Sequence, residues 1–153
     1  MQEAVPSGGA MTAVLGLDSE TIATACEQIE GTVSVANYNC PGQTVITGEA
    51  AAVNAAADKL KELGAKRCVP LKVSGPFHTK LMAPAGDALA QRFAGENFGT
   101  MEMPVLFNCL GHEKAETDSI PQLLVKQVQS SVYLEDTIRR LADLGVDLSF
   151  IHI

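Results

Sequence analysis

The sequence predicts an α/β chain in which a β-α-β-β-α-β unit comes first and an unfinished second α/β layer follows. Three observations carry this prediction. Hydrophobic spacing alternates between the strand period and the helical period in that order through residue 73. A Gly, or a Pro-Gly pair, punctuates most of the switches. Beyond residue 73, three helical stretches share only two short apolar runs, too few strands for a closed layer. With 153 residues, 46% of them apolar and 19% charged, the chain can bury a core and is neither disordered nor a coiled coil.

Residues 10–17 read as the first strand, with Met11, Ala13, Leu15 and Leu17 on one face. Asp18 or Ser19 caps a helix whose Ile22, Ala25, Cys26 and Ile29 line up, and Gly31 ends it. Strands at 33–39 and 43–47 flank Pro41-Gly42, the pair a type II turn requires, so they form a hairpin. Residues 49–63 form a helix with Val53, Ala56, Ala57, Leu60 and Leu63 inward, closed by Gly64. Residues 68–73 form a fourth strand, and Pro70 inside it demands an edge position. This order is the ferredoxin-like split βαβ arrangement, assigned to residues 10–73.

The second half, 74–153, begins with a long helix at 80–94 that buries Met82, Ala85, Leu89 and Phe93. A buried strand at 104–108, helices at 121–130 and 134–144, and an apolar strand at 148–153 follow. A chain that stops inside an apolar strand reads as part of a larger protein whose remaining parallel strands lie elsewhere. A domain that borrows its sheet from a neighbouring copy is the alternative.

Composition excludes several functions. The net charge of −7 opposes nucleic-acid or anionic-membrane binding, and no apolar run is long enough to span a bilayer. The start shows no basic cluster of a signal peptide, and the four Cys form no CxxC pair, which points to a reducing cytoplasm. No His, Cys, Asp or Glu spacing suits a metal, and no bound cofactor is expected. The segment 7–9 lacks the spacing and Lys of a phosphate loop.

Catalytic candidates are few. His78 stands in a loop that opens a helix, where functional groups concentrate, while His112 reads as solvated and His152 as structural. Ser74, Cys40 and Cys109 are candidate nucleophiles, and Cys40 with His78 would make a nucleophile–base pair. No GxSxG elbow occurs. Asn37 and Asn39 either brace the hairpin and the loop beside His78 or hydrogen-bond a ligand. Between residues 59 and 80, six basic residues stand against the single acid Glu62, while the rest of the chain carries five basic and seventeen acidic groups. That places a basic patch beside His78 in an acidic protein.

Three segments resemble malonyl-CoA:acyl carrier protein transacylases. The hairpin sequence NYNCPGQTVITG from Asn37 to Gly48 is similar to the family's NxNxPGQxVIxG segment. Gly75-Pro76-Phe77-His78-Thr79, with Leu81-Met82 and Pro84-Ala85, resembles its histidine segment. Residues 1–6 with Gly9-Ala10-Met11 resemble the entry to its small subdomain. The resemblance implies a ferredoxin-like subdomain inserted in an α/β-hydrolase-like acyltransferase domain. It also implies transfer of malonyl from coenzyme A to the phosphopantetheine thiol of acyl carrier protein, through a serine in a GHSxGE elbow.

By that resemblance His78 is the general base, and the backbone carbonyl of Gln127, in Gln127-Val128, orients it. Phe77 shapes the acyl pocket toward malonyl, with Asn37 and Asn39 nearby, and Lys66 and Arg67 dock the acidic carrier protein. The chain itself contains no GHSxGE serine, no oxyanion-hole glutamine and no malonate-binding arginine of the family pattern, so alone it is expected to be inactive. A non-catalytic ferredoxin-like ligand-binding or regulatory module is the competing expectation.

Overall fold

The structure is a computed structural model and describes residues 7–73 and 75–147. Strand β1 (Gly9–Leu15) leads to α1 (Ser19–Glu27), and β2 (Val33–Cys40) and β3 (Gln43–Glu49) form the hairpin. Helix α2 (Ala50–Glu62) and strand β4 (Arg67–Pro70) complete the first unit. A 3₁₀ turn (Lys80–Met82), α3 (Ala83–Phe93), β5 (Leu106–Phe107), β6 (His112–Glu113), α4 (Ile120–Val128), β7 (Val132–Tyr133) and α5 (Leu134–Asp143) follow. The result is a mixed α/β chain with a five-stranded sheet in the order β4-β1-β3-β2-β7, and a separate β5-β6 pair.

The local chemistry of these elements is ordinary. Asp18 caps α1 by accepting the Thr21 N–H at 2.8 Å. Gly42 takes φ +76 in the hairpin turn, as a residue after Pro in a type II turn must. Helices α1 and α2 cover one sheet face through Ile22, Ala25, Cys26, Val53, Ala56 and Leu60, which pack on Val14, Val35 and Ile46. The opposite face carries Met11, Ala36 and Val45, with Ala13 and Phe77 packed against them. Met11 and Ala13 therefore lie on the face away from the helices, and Val14 supplies the helix side.

Pro70 does sit in an edge strand, opposite Thr12 of β1. That strand is shorter than expected. It ends at Pro70, only Leu71 N adds a bond to Met11 O, and Val69, Leu71 and Val73 are exposed. The expected helix at 80–94 is a 3₁₀ turn followed by α3, because Pro84 near the start removes an N–H donor. The polar stretch around His112 is a strand, β6, whose His112 and Glu113 pair with Phe107 and Leu106. Strand β7 was not expected at all; it pairs parallel with β2, Asn37 opposite Val132 and Tyr38 opposite Tyr133.

A second small core joins Phe107, Cys109 and Leu123. Glu113 and Arg140 form a bidentate ion pair, at 2.9 Å for Arg140 Nη2 to Glu113 Oε1, that ties α5 to β6. No residue of α5 is buried among the described residues, and Leu134 and Ile138 are exposed. The expected strand at 148–153, His152 within it, Ser74 and residues 1–6 lie outside the described residues. Among the described residues no helix is long and apolar enough to cross a membrane.

Candidate functional site

His78 is held from two sides. On its own segment, buried Pro76 lies against β1 so closely that a Cβ on Gly9 would stand 2.3 Å from the Pro76 Cδ. Phe77, half-buried, packs on the Met11–Ala36–Val45 face of the sheet. The chain then turns sharply. His78 is the one non-glycine residue with positive φ, +63°, among the described residues. That left-handed conformation costs an L-residue about 1–2 kcal/mol, so the surroundings must impose it.

The imidazole meets the end of α4. His78 Nδ1 lies 3.1 Å from the Gln127 carbonyl oxygen, across 49 positions of sequence. The reason a backbone carbonyl is free there is elementary. The last four carbonyls of a helix have no intrahelical partner, and Gln127 is the penultimate residue of α4. The helix C-terminus also carries the negative end of the macrodipole, which favours an N–H donor. With Nδ1–H donating to this carbonyl, Nε2 keeps its lone pair.

Gln127 is itself anchored to the sheet. Just after α4, Ser131 Oγ donates to the Val35 carbonyl at 2.7 Å, β7 pairs with β2, and Tyr133 stacks on Tyr38 at 5.1 Å. His78 and its carbonyl partner thus both hang from one sheet, His78 through β1 and Gln127 through β2.

A cavity of about 460 Å³ opens beside His78, between the start of β2 and the loops around α4. Lys80, Lys126, Ser34, Ser130, Cys109 and Tyr133 are among its lining. Among the described residues two ammonium groups, several hydroxyls and no carboxylate line it, in a chain of net charge −7. Such a lining favours an anionic ligand.

The thiols do not offer a nucleophile here. Cys40 is in the hairpin at the far end of β2, its Sγ 3.6 Å from Gln43 Oε1, whereas the His78 cavity is lined by Gly31–Ser34 at the other end. Five strand residues, 35–39, lie between Ser34 and Cys40, and six steps along the strand span on the order of 20 Å. The Cys40–His78 pair is therefore ruled out. Cys109 does share the cavity, a placement no sequence pattern indicated. Its thiol is buried, directed at the Leu123 carbonyl, and pushed up by burial, which disfavours the thiolate. Burial likewise pushes the Cys26 thiol up to about 11. No cluster of metal-ligating side chains occurs among the described residues.

Asn37 lies opposite Val45 and so faces the same side as Phe77, while Asn39 sits at a register shift next to the hairpin turn. Among the described residues neither amide makes a side-chain hydrogen bond.

The basic stretch 59–80 does not surround His78. Lys66 and Arg67 sit beside Leu15 and Gly16, at the end of β1 opposite to Gly9 and Pro76. The seven residues of β1 place them about 20 Å away along the sheet. Lys61 pairs with Asp58 at 2.9 Å, and Lys59 bonds Gln28. Only Lys80 of that stretch lines the cavity, where Lys126 joins it from outside.

No family model matches the chain. It is 42% identical, over its whole length, to the malonyl CoA-acyl carrier protein transacylase of Bacillus subtilis, and covers 49% of that protein. The malonyl CoA-acyl carrier protein transacylase of Clostridium perfringens superposes on 96% of the chain with a TM-score of 0.91 at 37% identity, over 47% of its own length. A malonyl-transacylase solved in complex with a type II PKS acyl-carrier protein superposes on 95% of the chain with a TM-score of 0.88 at 42% identity, and 48% of that protein is covered. The chain spans about half the length of the curated relatives it matches. In sequence and in fold it is similar to malonyl CoA-acyl carrier protein transacylases throughout.

Proposed function

We propose that this chain is the histidine-bearing part of an acyltransferase that moves malonyl from coenzyme A to the phosphopantetheine thiol of acyl carrier protein. The observation that carries the reading is the His78 Nδ1 contact to the Gln127 carbonyl, 3.1 Å long. It supports the tautomer a general base would need, with the proton on Nδ1. Nε2 would accept the proton of a serine hydroxyl as that oxygen attacks the malonyl thioester, then return it to the leaving coenzyme A thiol. The same cycle, run with the carrier thiol as acceptor, would discharge the acyl-enzyme. The serine belongs to a GHSxGE segment that these 153 residues do not contain, so the chain by itself would form no acyl-enzyme.

The other assignments extend the proposal. Residues 10–73 would form a ferredoxin-like subdomain, supported by the β4-β1-β3-β2 order, and 74–153 part of an α/β-hydrolase-like domain. Phe77 would crowd the space of a 2-methyl branch and favour malonyl, with Asn37 on the same sheet face and Asn39 toward the turn. Lys80 and Lys126 offer charge to an anionic acyl-CoA. The four free thiols fit a reducing cytoplasm. A purely ligand-binding module would account for the first sheet, but not for a strained histidine aimed at a helix C-terminus.

The test is made in a full-length protein that joins this segment to its serine. His78→Ala should lower malonyl transfer about 10²–10⁴-fold with little loss of thermal stability. Transfer within a few-fold of the parent would remove His78 from the chemistry. Lys66 and Arg67, exposed and distant from His78, would dock the acidic carrier protein while its long phosphopantetheine arm bridges the gap. Lys66→Glu with Arg67→Glu should slow transfer to carrier protein at low salt and spare malonyl-CoA hydrolysis. Wild-type transfer rates in that double variant would make the pair a solvated surface only.

A further inference from the structure

We infer that the Thr79 hydroxyl is the positioning group that holds His78 in its left-handed conformation and keeps its imidazole on the Gln127 carbonyl. The inference rests on the reading of His78 as general base. Thr79 is 2% exposed, and its Oγ1 makes two hydrogen bonds. It accepts the Leu81 N–H at 3.2 Å and donates to the Pro76 carbonyl at 2.9 Å.

The first bond is ordinary helix capping, since Thr79 precedes the 3₁₀ turn whose leading N–H groups lack partners. Capping does not explain the second. That bond runs back across His78 to the residue two positions before it. It joins the side of the loop that is fixed, Pro76 against Gly9, to the side that begins the 3₁₀ turn. Among the described residues no backbone N–H donates to the Pro76 carbonyl, so the hydroxyl has no backbone substitute there. One hydroxyl therefore closes a strap around the strained residue. Without it, the φ of +63 at His78 is free to relax, and the imidazole leaves the carbonyl.

The readout is the tautomer of neutral His78, measured by imidazole ¹⁵N NMR on the 153-residue chain. In the parent the Nδ1–H form should dominate. In Thr79→Val, which keeps the shape and removes the hydroxyl, the Nδ1–H to Nε2–H ratio should fall about tenfold, the worth of one hydrogen bond. Thr79→Ser should restore it. A folded Thr79→Val with the parent's ratio, or a Thr79→Ser variant that behaves like Thr79→Val, overturns the inference.

If Thr79→Val does not fold, the same substitution is made in the His78→Gly background, because glycine adopts positive φ without strain. Folding regained there supports the strap. Failure in both backgrounds makes Thr79 a general structural residue and overturns its positioning role. Acyl transfer enters neither readout, so a failure here is separable from a failure of the base assignment.

Discussion

Gly9→Ala should displace the histidine without touching it. A methyl carbon at position 9 would stand 2.3 Å from Pro76 Cδ and 2.6 Å from Pro76 N. Carbon atoms in contact sit about 3.5–4.0 Å apart, so something must retreat by about 1 Å or more. β1 cannot yield easily, because it is paired with β3 along its whole length, Gly9 opposite Glu49. Pro76 is a rigid ring, and the loop it belongs to has to move. His78 follows two residues later, and a shift of about 1 Å added to the 3.1 Å contact with Gln127 exceeds a hydrogen bond. Replacing Gly by Ala stabilises by about 0.4–1 kcal/mol through the unfolded chain where the site accommodates it, whereas overpacking costs about 1–3 kcal/mol. Overpacking wins here, and we expect a net loss of about 1–2 kcal/mol in urea unfolding. The Nδ1–H signature of His78 should be lost with it. In a full-length protein with its serine, a misplacement of about 1 Å should lower transfer about 10²-fold. Gly8→Ala is the control, since no described residue lies within 4 Å of a Cβ there and the strain of φ +84 is what it adds. A Gly9→Ala chain as stable as the parent, with the Nδ1 bond intact, would refute the claim that the Gly9–Pro76 contact sets the histidine.

Two further outcomes test the frame around the site. Gly48→Ala should cost more than about 3 kcal/mol or prevent folding, because its Cβ would lie 2.0 Å from the Thr32 carbonyl oxygen, a backbone atom that cannot rotate away; a urea midpoint near the parent's would contradict the close β2–β3 approach. The Arg140 guanidinium beside Glu113 holds that carboxyl down at about 2, against an ordinary 4.5. A depressed carboxylate stabilises the fold above its unfolded-state pKa, and that contribution fades as pH falls from about 4.5 to about 2. Arg140→Gln should return Glu113 to the ordinary carboxylate range in an NMR titration, and the parent's stability advantage over it should shrink through that window. An advantage independent of pH there would show that the pair does not anchor α5.

The residues that made the first unit legible are those whose role is local. Asp18 caps, Gly42 turns and Pro70 keeps to an edge, because each answers to its neighbours in the chain. What periodicity could not supply was direction. It separates the two faces of β1, but both are buried, so alternation alone could not say that Val14 faces the helices and Met11 faces Phe77. Nor could it find β7, whose two residues are too short to show a period. That strand matters because it ties Gln127 to β2, and the contact with His78 spans 49 positions that no local pattern connects. The pairing was legible only through resemblance to a known family. Charge misled for a related reason. Lys66, Arg67 and Lys80 are close in sequence, but β4 runs lengthwise along β1 and carries the chain from one end of the sheet to the other. Lys126, far off in sequence, ends up sharing the cavity with His78. In an antiparallel sheet, a count of charges along the chain measures contour and not distance. The electrostatic neighbours of the histidine are therefore Lys80 and Lys126, while Lys66 and Arg67 can act on a partner only at a separate point of contact.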